Sequence, residues 1–282
     1  MKKICDKVLT GERALFQSRG LEIVGCTFAD GESPLKESAD LFIMDSTFDW
    51  KYPVWYSKNV RIKNCRLTVN GRAGIWYTRA ISLEDCNIEA PKTFRRSEDI
   101  EIVNCEMPNA AETLWACKGV RLDGVRAKGD YFFMNSEDVT CNALELDGNY
   151  SFDGAKNVVV TSSRLISKDA FWNSENVTVK DSYISGEYLG WNARNLTFIN
   201  CTLESLQGLC YVQNLKLINC RLINTTLAFE YSTVEADIVG TVDSVKNPTS
   251  GRICADGYGE IIMEADKVDV SATEIITRGK QA

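Results

Sequence analysis

The chain has 282 residues, of which 44% are hydrophobic, so it can bury a sizeable core. Its formal net charge is −7 and its pI is about 4.9. Because nucleic-acid binding needs a basic surface, we predict no nucleic-acid partner. No run of about eighteen apolar residues occurs, so we predict no membrane partner. The absence of histidine from the sequence excludes Ser-His-Asp and Cys-His catalysis.

Residues 1–14 precede the regular part of the chain. Lys2 and Lys3 are not followed by an apolar stretch, so we expect no secretory signal and a cytoplasmic protein. The strand repeat described next would expose an unpaired edge at each end. We therefore predict that residues 1–14 form an N-terminal cap.

A nine-residue pattern then recurs with a period of 19 to 21 residues. Residues 59–67 (NVRIKNCRL) are a clear copy: apolar-x-apolar, a two-residue turn, then small-x-apolar. A fixed period near twenty with alternation inside each copy indicates a solenoid of strands. The leucine-dense pattern of a leucine-rich repeat is absent. We predict an all-β parallel β-helix of about twelve coils, whose first apolar residues are Leu21, Leu41, Val60, Ile81, Ile100, Val120, Val139, Val158, Val177, Leu196, Leu215 and Val234.

The pattern fades after Val234. Residues 241–282 hold apolar pieces but no clear copy of it, so we predict a C-terminal cap there and coils over residues 15–240. A solenoid of this length needs no second domain, and we predict one domain over residues 1–282.

The eleven cysteines do not suggest disulfides or a metal site. No C-x-x-C pair exists, which leaves a zinc or redox site without support. Six cysteines share one phase of the repeat, where small hydrophobic side chains would face inward; they are Cys26, Cys65, Cys86, Cys105, Cys201 and Cys220. A reduced, cytoplasmic protein fits this usage.

The first strand of each coil carries the candidate site. The residues six positions before the markers are apolar throughout and should face the core. Strand alternation turns the next position outward, and five of the six tryptophans stand there: Trp55, Trp76, Trp115, Trp172 and Trp191. An exposed aromatic stripe of this size usually marks an interaction surface.

Charged residues approach the same strands in the central coils. We expect these side chains to cluster: Lys92, Arg95, Arg96, Glu112, Asp130, Asp153 and Asp169. Charged groups between aromatic platforms suit an extended sugar chain, because rings stack on indoles while carboxylates and guanidiniums bond hydroxyl or uronate groups. Neighbouring carboxylates can also supply an acid and a base.

Several segments resemble a bacterial family of unknown function with a pectin-lyase-like, right-handed parallel β-helix. They are TGERALF (10–16), WKYPVWY (50–56), RAGIWY (72–77), KDAFWN (168–173), GEYLGWN (186–192) and KNPTSG (246–251). The resemblance covers nearly the whole chain. It implies the fold and its right-handedness, and it implies no specific activity.

The wider superfamily, which the chain resembles in architecture, includes pectate lyases and polygalacturonases that work on the outer face of the first-strand sheet. The Gly-His-Gly of the polygalacturonases is absent here. Lyase chemistry in this superfamily needs a calcium-holding Asp cluster and an Arg base. Asp130, Asp153 and Arg95 have these residue types, but Arg95 and Asp153 should lie three coils apart, about 14 Å at roughly 4.8 Å per coil. We therefore predict no cofactor or metal, and calcium stays an open alternative.

We predict a carbohydrate-like ligand bound along this outer face, with lyase or hydrolase activity left open. Asp153, Asp130 and Glu112 are the acid/base candidates, and Arg95 is the anion binder. The ligand-binding candidates are Trp55, Trp76, Trp115, Trp172, Trp191, Arg96, Lys92 and Asp169. Two alternatives stay open: a scaffold protein whose stripe is a homo-oligomer interface, and a stripe packed under long loops or the C-terminal cap.

Overall fold

The computed structural model describes residues 2–279 of the chain. The chain divides into two compact units, residues 1–147 (unit 1) and 148–282 (unit 2). Both units consist of short parallel strands stacked coil on coil, so the predicted parallel β-helix is confirmed. Within residues 2–279, no helix has the length and hydropathy needed to cross a membrane.

Unit 1 contains a row of long strands, one in each coil. Leu21 pairs with Leu41, Leu41 with Val60, and Val60 with Ile81. The apolar residues that mark the sequence repeat therefore stack as one column. The long strands are Lys2–Cys5, Arg19–Val24, Ala39–Met44, Lys58–Lys63, Arg79–Glu84, Glu98–Val103, Lys118–Asp123 and Glu137–Asn142.

Two further rows complete the coils of unit 1. The first strands are formed in three coils, as Val54–Trp55, Ile75–Trp76 and Phe94–Arg95, and Arg95 makes an isolated bridge with Trp115. Among the described residues the only helical element is the 3₁₀ turn Val69–Gly71. The short strands that follow the long ones are Val8–Leu9, Thr27–Phe28, Thr47–Phe48, Arg66–Leu67, Asn87–Ile88, Glu106–Met107, Arg126–Lys128 and Glu145–Asp147.

Unit 2 repeats the rows of long and short strands, but the first-strand positions at residues 152–153, 171–172 and 190–191 lie in turns. Its long strands are Lys156–Thr161, Glu175–Lys180, Arg194–Ile199, Gln213–Thr226, Thr233–Ile238, Ser250–Ala255 and Thr273–Thr277. Gln213–Thr226 has 14 residues because it runs through the turn into the next row. The remaining strands are Arg164–Ile166, Tyr183–Ser185, Thr202–Leu206, Thr241–Lys246 and Gly257–Ile262.

The core lies inside the coils, as the sequence alternation predicts. Val54, Ile75 and Phe94 in unit 1 and Phe152 and Phe171 in unit 2 are at most 1% exposed. Large rings also stack between neighbouring coils, as in the Phe152–Phe171 pair, whose centroids are 5.0 Å apart. Each such side chain contributes about 2 kcal/mol relative to an exposed one.

Turns between the strands use Asn and Asp in the left-handed conformation. In unit 2, Asn176, Asn195 and Asn214 have φ values of 53–60°. Asn195 Nδ2 donates to Asn176 Oδ1, and Asn214 Nδ2 donates to Asn195 Oδ1, both at 2.8 Å. These residues tolerate φ > 0 at the lowest cost, and stacking joins their amides in a ladder.

The cysteine register has a structural role. The backbone N–H of Cys86 donates to Cys105 Sγ at 3.3 Å, and that of Cys26 donates to Ser46 Oγ at 3.0 Å. Serine and cysteine therefore have the same role in this column. The side chain of either residue accepts a hydrogen bond from a backbone N–H of the preceding coil. All eleven cysteines are free thiols; the cytoplasmic location stays a prediction.

The coils extend further than the twelve that the sequence predicts, to about 15 turns. Lys2–Cys5 pairs with Arg19–Val24 inside the segment assigned to the N-terminal cap. Gly257–Ile262 and Thr273–Thr277, inside the segment assigned to the C-terminal cap, each pair in parallel with an earlier strand. Neither segment contains a clear copy of the nine-residue pattern used to count coils, and paired strands form there without it.

Candidate functional site

Unit 1 carries a closed stack of flat side chains on its outer face, which we call the unit 1 column: Trp55, Trp76, Arg95 and Trp115. The Trp55 and Trp76 rings are parallel to within 7°, with centroids 5.1 Å apart. The Arg95 guanidinium lies between Trp76 and Trp115, at 4.8 and 4.6 Å from their ring centroids. One face of Trp76 is therefore covered by Trp55 and the other by Arg95.

Ion pairs hold the same column from the side. Glu112 accepts from Arg95 at 3.1 Å and from Lys92 at 3.0 Å. The backbone N–H of Glu112 donates to the Asp130 carbonyl at 2.8 Å, and the Arg96 side chain is exposed. The structure thus brings Lys92, Arg95 and Glu112 together, as the sequence analysis expects.

The closed stack limits what the unit 1 column can bind. A sugar ring cannot stack on the indole faces of Trp76, because both are occupied. The Arg95 guanidinium already bonds Glu112 and contacts two indoles, so an incoming anion would have to displace these partners. The contacts favour a supporting role for the unit 1 column.

Unit 2 carries a more open set of rings, the unit 2 column: Trp172, Trp191, Tyr211 and Tyr231. Successive ring planes are tilted by 37°, 39° and 45°, with centroids 6.3, 4.7 and 5.4 Å apart. Tilted rings do not cover one another face to face. Tyr211 is 40% exposed, and the two indoles are half-buried. Tyr211 and Tyr231 extend the predicted stripe beyond its last tryptophan.

Polar side chains run beside the unit 2 column. Asn173 Nδ2 donates to Asp153 Oδ1 at 2.9 Å, and Asn192 Nδ2 donates to Asn173 Oδ1 at 2.8 Å. Lys168 pairs with Glu187 at 3.3 Å. Asp153, the one predicted acid/base residue that lies in unit 2, is half-buried, so solvent reaches it.

Asp169 lies deeper than the sequence suggests. It is only 2% exposed, and its Oδ1 has no hydrogen-bond partner. Burial raises the pKa of this carboxyl group, and the nearby Lys168 opposes that rise. Direct contact with a ligand is therefore not expected of Asp169 in this conformation.

A β-bulge in unit 2 opens a cavity that the sequence analysis missed. Glu204 pairs with Ile223, but Leu206 pairs with Thr226, so the second strand has one extra residue. Asn224 adopts φ 46° within it. The resulting cavity of about 290 Å³, the bulge pocket, is lined by Ser185, Gly186, Glu187, Glu204, Ser205, Leu206 and Asn224.

Because of this extra residue, the next coil has a different register from the one that the sequence predicts. Counted from the marker Val234, Phe229 falls in the outward position of the repeat, but it is fully buried. The Phe229 N–H donates to the Gly208 carbonyl as that of Leu209 donates to Leu189. Phe229 therefore takes the inward position, and Tyr231 takes the position of Tyr211. Cys210, also placed outward, is likewise buried.

The described residues were also considered for metal binding. Among residues 2–279, no group of three or more Cys, Asp or Glu side chains is arranged to hold a metal ion.

Three solved structures show similarity to the fold. PfbA, a surface adhesin of Streptococcus pneumoniae, matches with a TM-score of 0.50 and 11% identity over 82% of each chain. The A-module of the mannuronan C-5 epimerase AlgE4 from Azotobacter vinelandii matches with a TM-score of 0.32 and 10% identity, over 98% of this chain and 86% of that one. The catalytic domain of a GH87 α-1,3-glucanase in complex with nigerose matches with a TM-score of 0.38 and 10% identity, over 99% of this chain and 63% of that one.

At such identities the similarity concerns the fold alone. A comparison with curated protein sequences gave no match. The sequence model of a family described as a protein of unknown function, DUF3737, matches residues 2–276, and the chain therefore belongs to this family.

Proposed function

We propose that this protein binds an extended carbohydrate-like ligand along the outer face of unit 2 that carries the unit 2 column. The observation that carries the proposal is the unit 2 column, whose tilted rings lie beside a ladder of carboxylate and amide groups. Aromatic rings pack against the C–H faces of sugars, and carboxylates and amides bond their hydroxyl groups. Both kinds of group repeat from coil to coil along the solenoid axis. An extended sugar chain lying in the same direction could contact them in succession.

The contacts in unit 1 argue against a catalytic role for two of the predicted residues. Glu112, an acid/base candidate, is held by two cations, and Arg95 is held by Glu112 and two indoles. Asp153 and Asp130 stay candidates for an acid and a base. A charged group engaged by fixed partners needs those bonds broken before it can act on a substrate.

A second copy of the chain is the competing occupant of this face, because exposed tyrosines also suit protein interfaces. Sedimentation velocity separates the two occupants. A ligand-binding face predicts a monomer at micromolar concentration. A stable dimer that dissociates on substitution of Tyr211 would contradict the proposal.

The direct test is a titration of the protein with oligosaccharides of neutral, amino and uronic sugars, followed by tryptophan fluorescence. We expect Tyr211→Ala to weaken binding about tenfold, equivalent to about 1.4 kcal/mol, through loss of one stacking ring. Tyr56→Ala is the matched control, because Tyr56 occupies the same turn position in unit 1, with φ 54° against 58°, and is also exposed. Equal loss in both variants, or no binding by the wild type, would refute the assignment to unit 2.

A further inference from the structure

The bulge pocket lies at one of two register shifts in the coil-to-coil pairing of unit 2. Coil-to-coil pairing in unit 2 keeps one register through Tyr183–Ser185 and Thr202–Leu206 up to Glu204 and then shifts by one residue. The shift leaves Leu206, an apolar side chain, 49% exposed at the cavity wall. Bulges that re-aim side chains are often found at functional sites.

One carboxylate of the pocket is fixed in position. Tyr183 Oη donates to Glu204 Oε2 at 2.5 Å, and Asn224 Nδ2 donates to Glu204 Oε1 at 2.7 Å. These two hydrogen bonds lower the pKa of Glu204, the Tyr183 bond most strongly. Glu204 is therefore an ionised group in a defined orientation at neutral pH.

A second carboxylate, that of Glu187, also lines the pocket. Its nearest cation, Lys168, pairs with it at 3.3 Å and is not among the lining residues. The lining contains two carboxylates, two serine hydroxyls, one amide and Leu206, and no cationic side chain. The charge at the pocket is therefore negative.

The pocket also continues the proposed ligand face. Glu187 precedes Tyr188, whose ring packs edge-on against Trp191 with centroids 5.8 Å apart. The Tyr188 N–H donates to the carbonyl of Leu206 at 3.0 Å. A ligand lying on the unit 2 column can thus extend one residue into the pocket.

We propose that the bulge pocket binds a sugar residue bearing a free amino group, and so makes the ligand an amino-sugar oligomer. This inference rests on the proposed function. Leu206 offers an apolar wall for the C–H face of the ring, Ser185 and Asn224 offer hydrogen bonds to hydroxyls, and Glu187 and Glu204 attract an ammonium group. A uronate would bring a third carboxylate to the pocket and be repelled.

Fluorescence titrations with three oligomers of equal length test this inference: glucosamine oligomers with free amines, their N-acetylated forms, and galacturonate oligomers. We expect the free-amine oligomers to bind about tenfold more tightly than the N-acetylated ones and the galacturonates to bind least. Glu204→Gln should reduce this preference, because it should weaken binding of the free-amine oligomers more than binding of the N-acetylated ones. Glu235→Gln, which removes an exposed carboxylate elsewhere in unit 2, is the control for general attraction of cations to an acidic protein.

The outcomes separate the two proposals. Equal binding of free-amine and N-acetylated oligomers, or tighter binding of galacturonates, overturns the amino-sugar inference and leaves the carbohydrate proposal standing. Equal effects of Glu204→Gln and Glu235→Gln also overturn the inference. If none of the three oligomers binds, both proposals fail.

Discussion

Arg95 shows how one side chain can look like a ligand-binding group and serve the fold. The sequence places it, correctly, in the outward column between two tryptophans and near Glu112. Its guanidinium is flat and lies between the indoles of Trp76 and Trp115, a contact that an ammonium group makes less well. These contacts leave the Arg95 side chain 24% exposed.

Replacement of Arg95 by lysine therefore tests the supporting role of the unit 1 column. We expect Arg95→Lys to lower the free energy of unfolding by about 1 kcal/mol, because the two cation–π contacts are weakened. Arg96→Lys, at the next and exposed position, should change it by less than about 0.5 kcal/mol. Urea denaturation measures both, and equal stability of the two variants would contradict the stacked arrangement.

At the scale of the element, single columns of polar side chains join successive coils. Ser182 Oγ accepts from the Ser163 N–H at 3.0 Å in unit 2, as Ser46 Oγ does from Cys26 in unit 1. Each bond satisfies a buried amide that the strands leave without a partner. A serine can therefore replace a cysteine of this register and accept the same backbone hydrogen bond.

This exchange gives a prediction for Cys105. Cys105→Ser should be nearly neutral, because a hydroxyl can accept from the Cys86 N–H as the thiol does. Cys105→Val should cost about 1–2 kcal/mol, since that buried N–H would lose its acceptor. Thermal unfolding of the two variants measures the difference. A serine variant that is less stable than the valine variant would show that apolar packing, not the hydrogen bond, governs this column.

The bulge shows why one element escaped sequence reasoning. Leu206 pairs twenty residues on, with Thr226, whereas Leu215 pairs nineteen residues on, with Val234. One coil therefore has an extra residue at the bulge, and the spacing returns to nineteen residues by the marker Val234. The markers alone show an unbroken period of nineteen residues. They therefore give no sign of the bulge or of the pocket beside it.

At the scale of the whole molecule, the repeat period determined most of what could be predicted. Alternation and spacing were enough for the parallel β-helix, the inward row and the outward tryptophans, because stacked coils place equal phases side by side. The tilt between rings depends on side-chain packing that no period encodes. The closed stack at Trp76 and the open one at Trp191 therefore look alike in sequence.

The most direct test of the proposed ligand face uses the six tryptophan indole N–H signals in an NMR titration with an oligosaccharide that binds. Substitution of each tryptophan by phenylalanine assigns the signals. We predict that the Trp172 and Trp191 signals shift with ligand, while those of Trp55 and Trp76, whose rings lie face to face at 5.1 Å in the closed stack, stay in place. Shifts confined to Trp55, Trp76 and Trp115 would contradict the account.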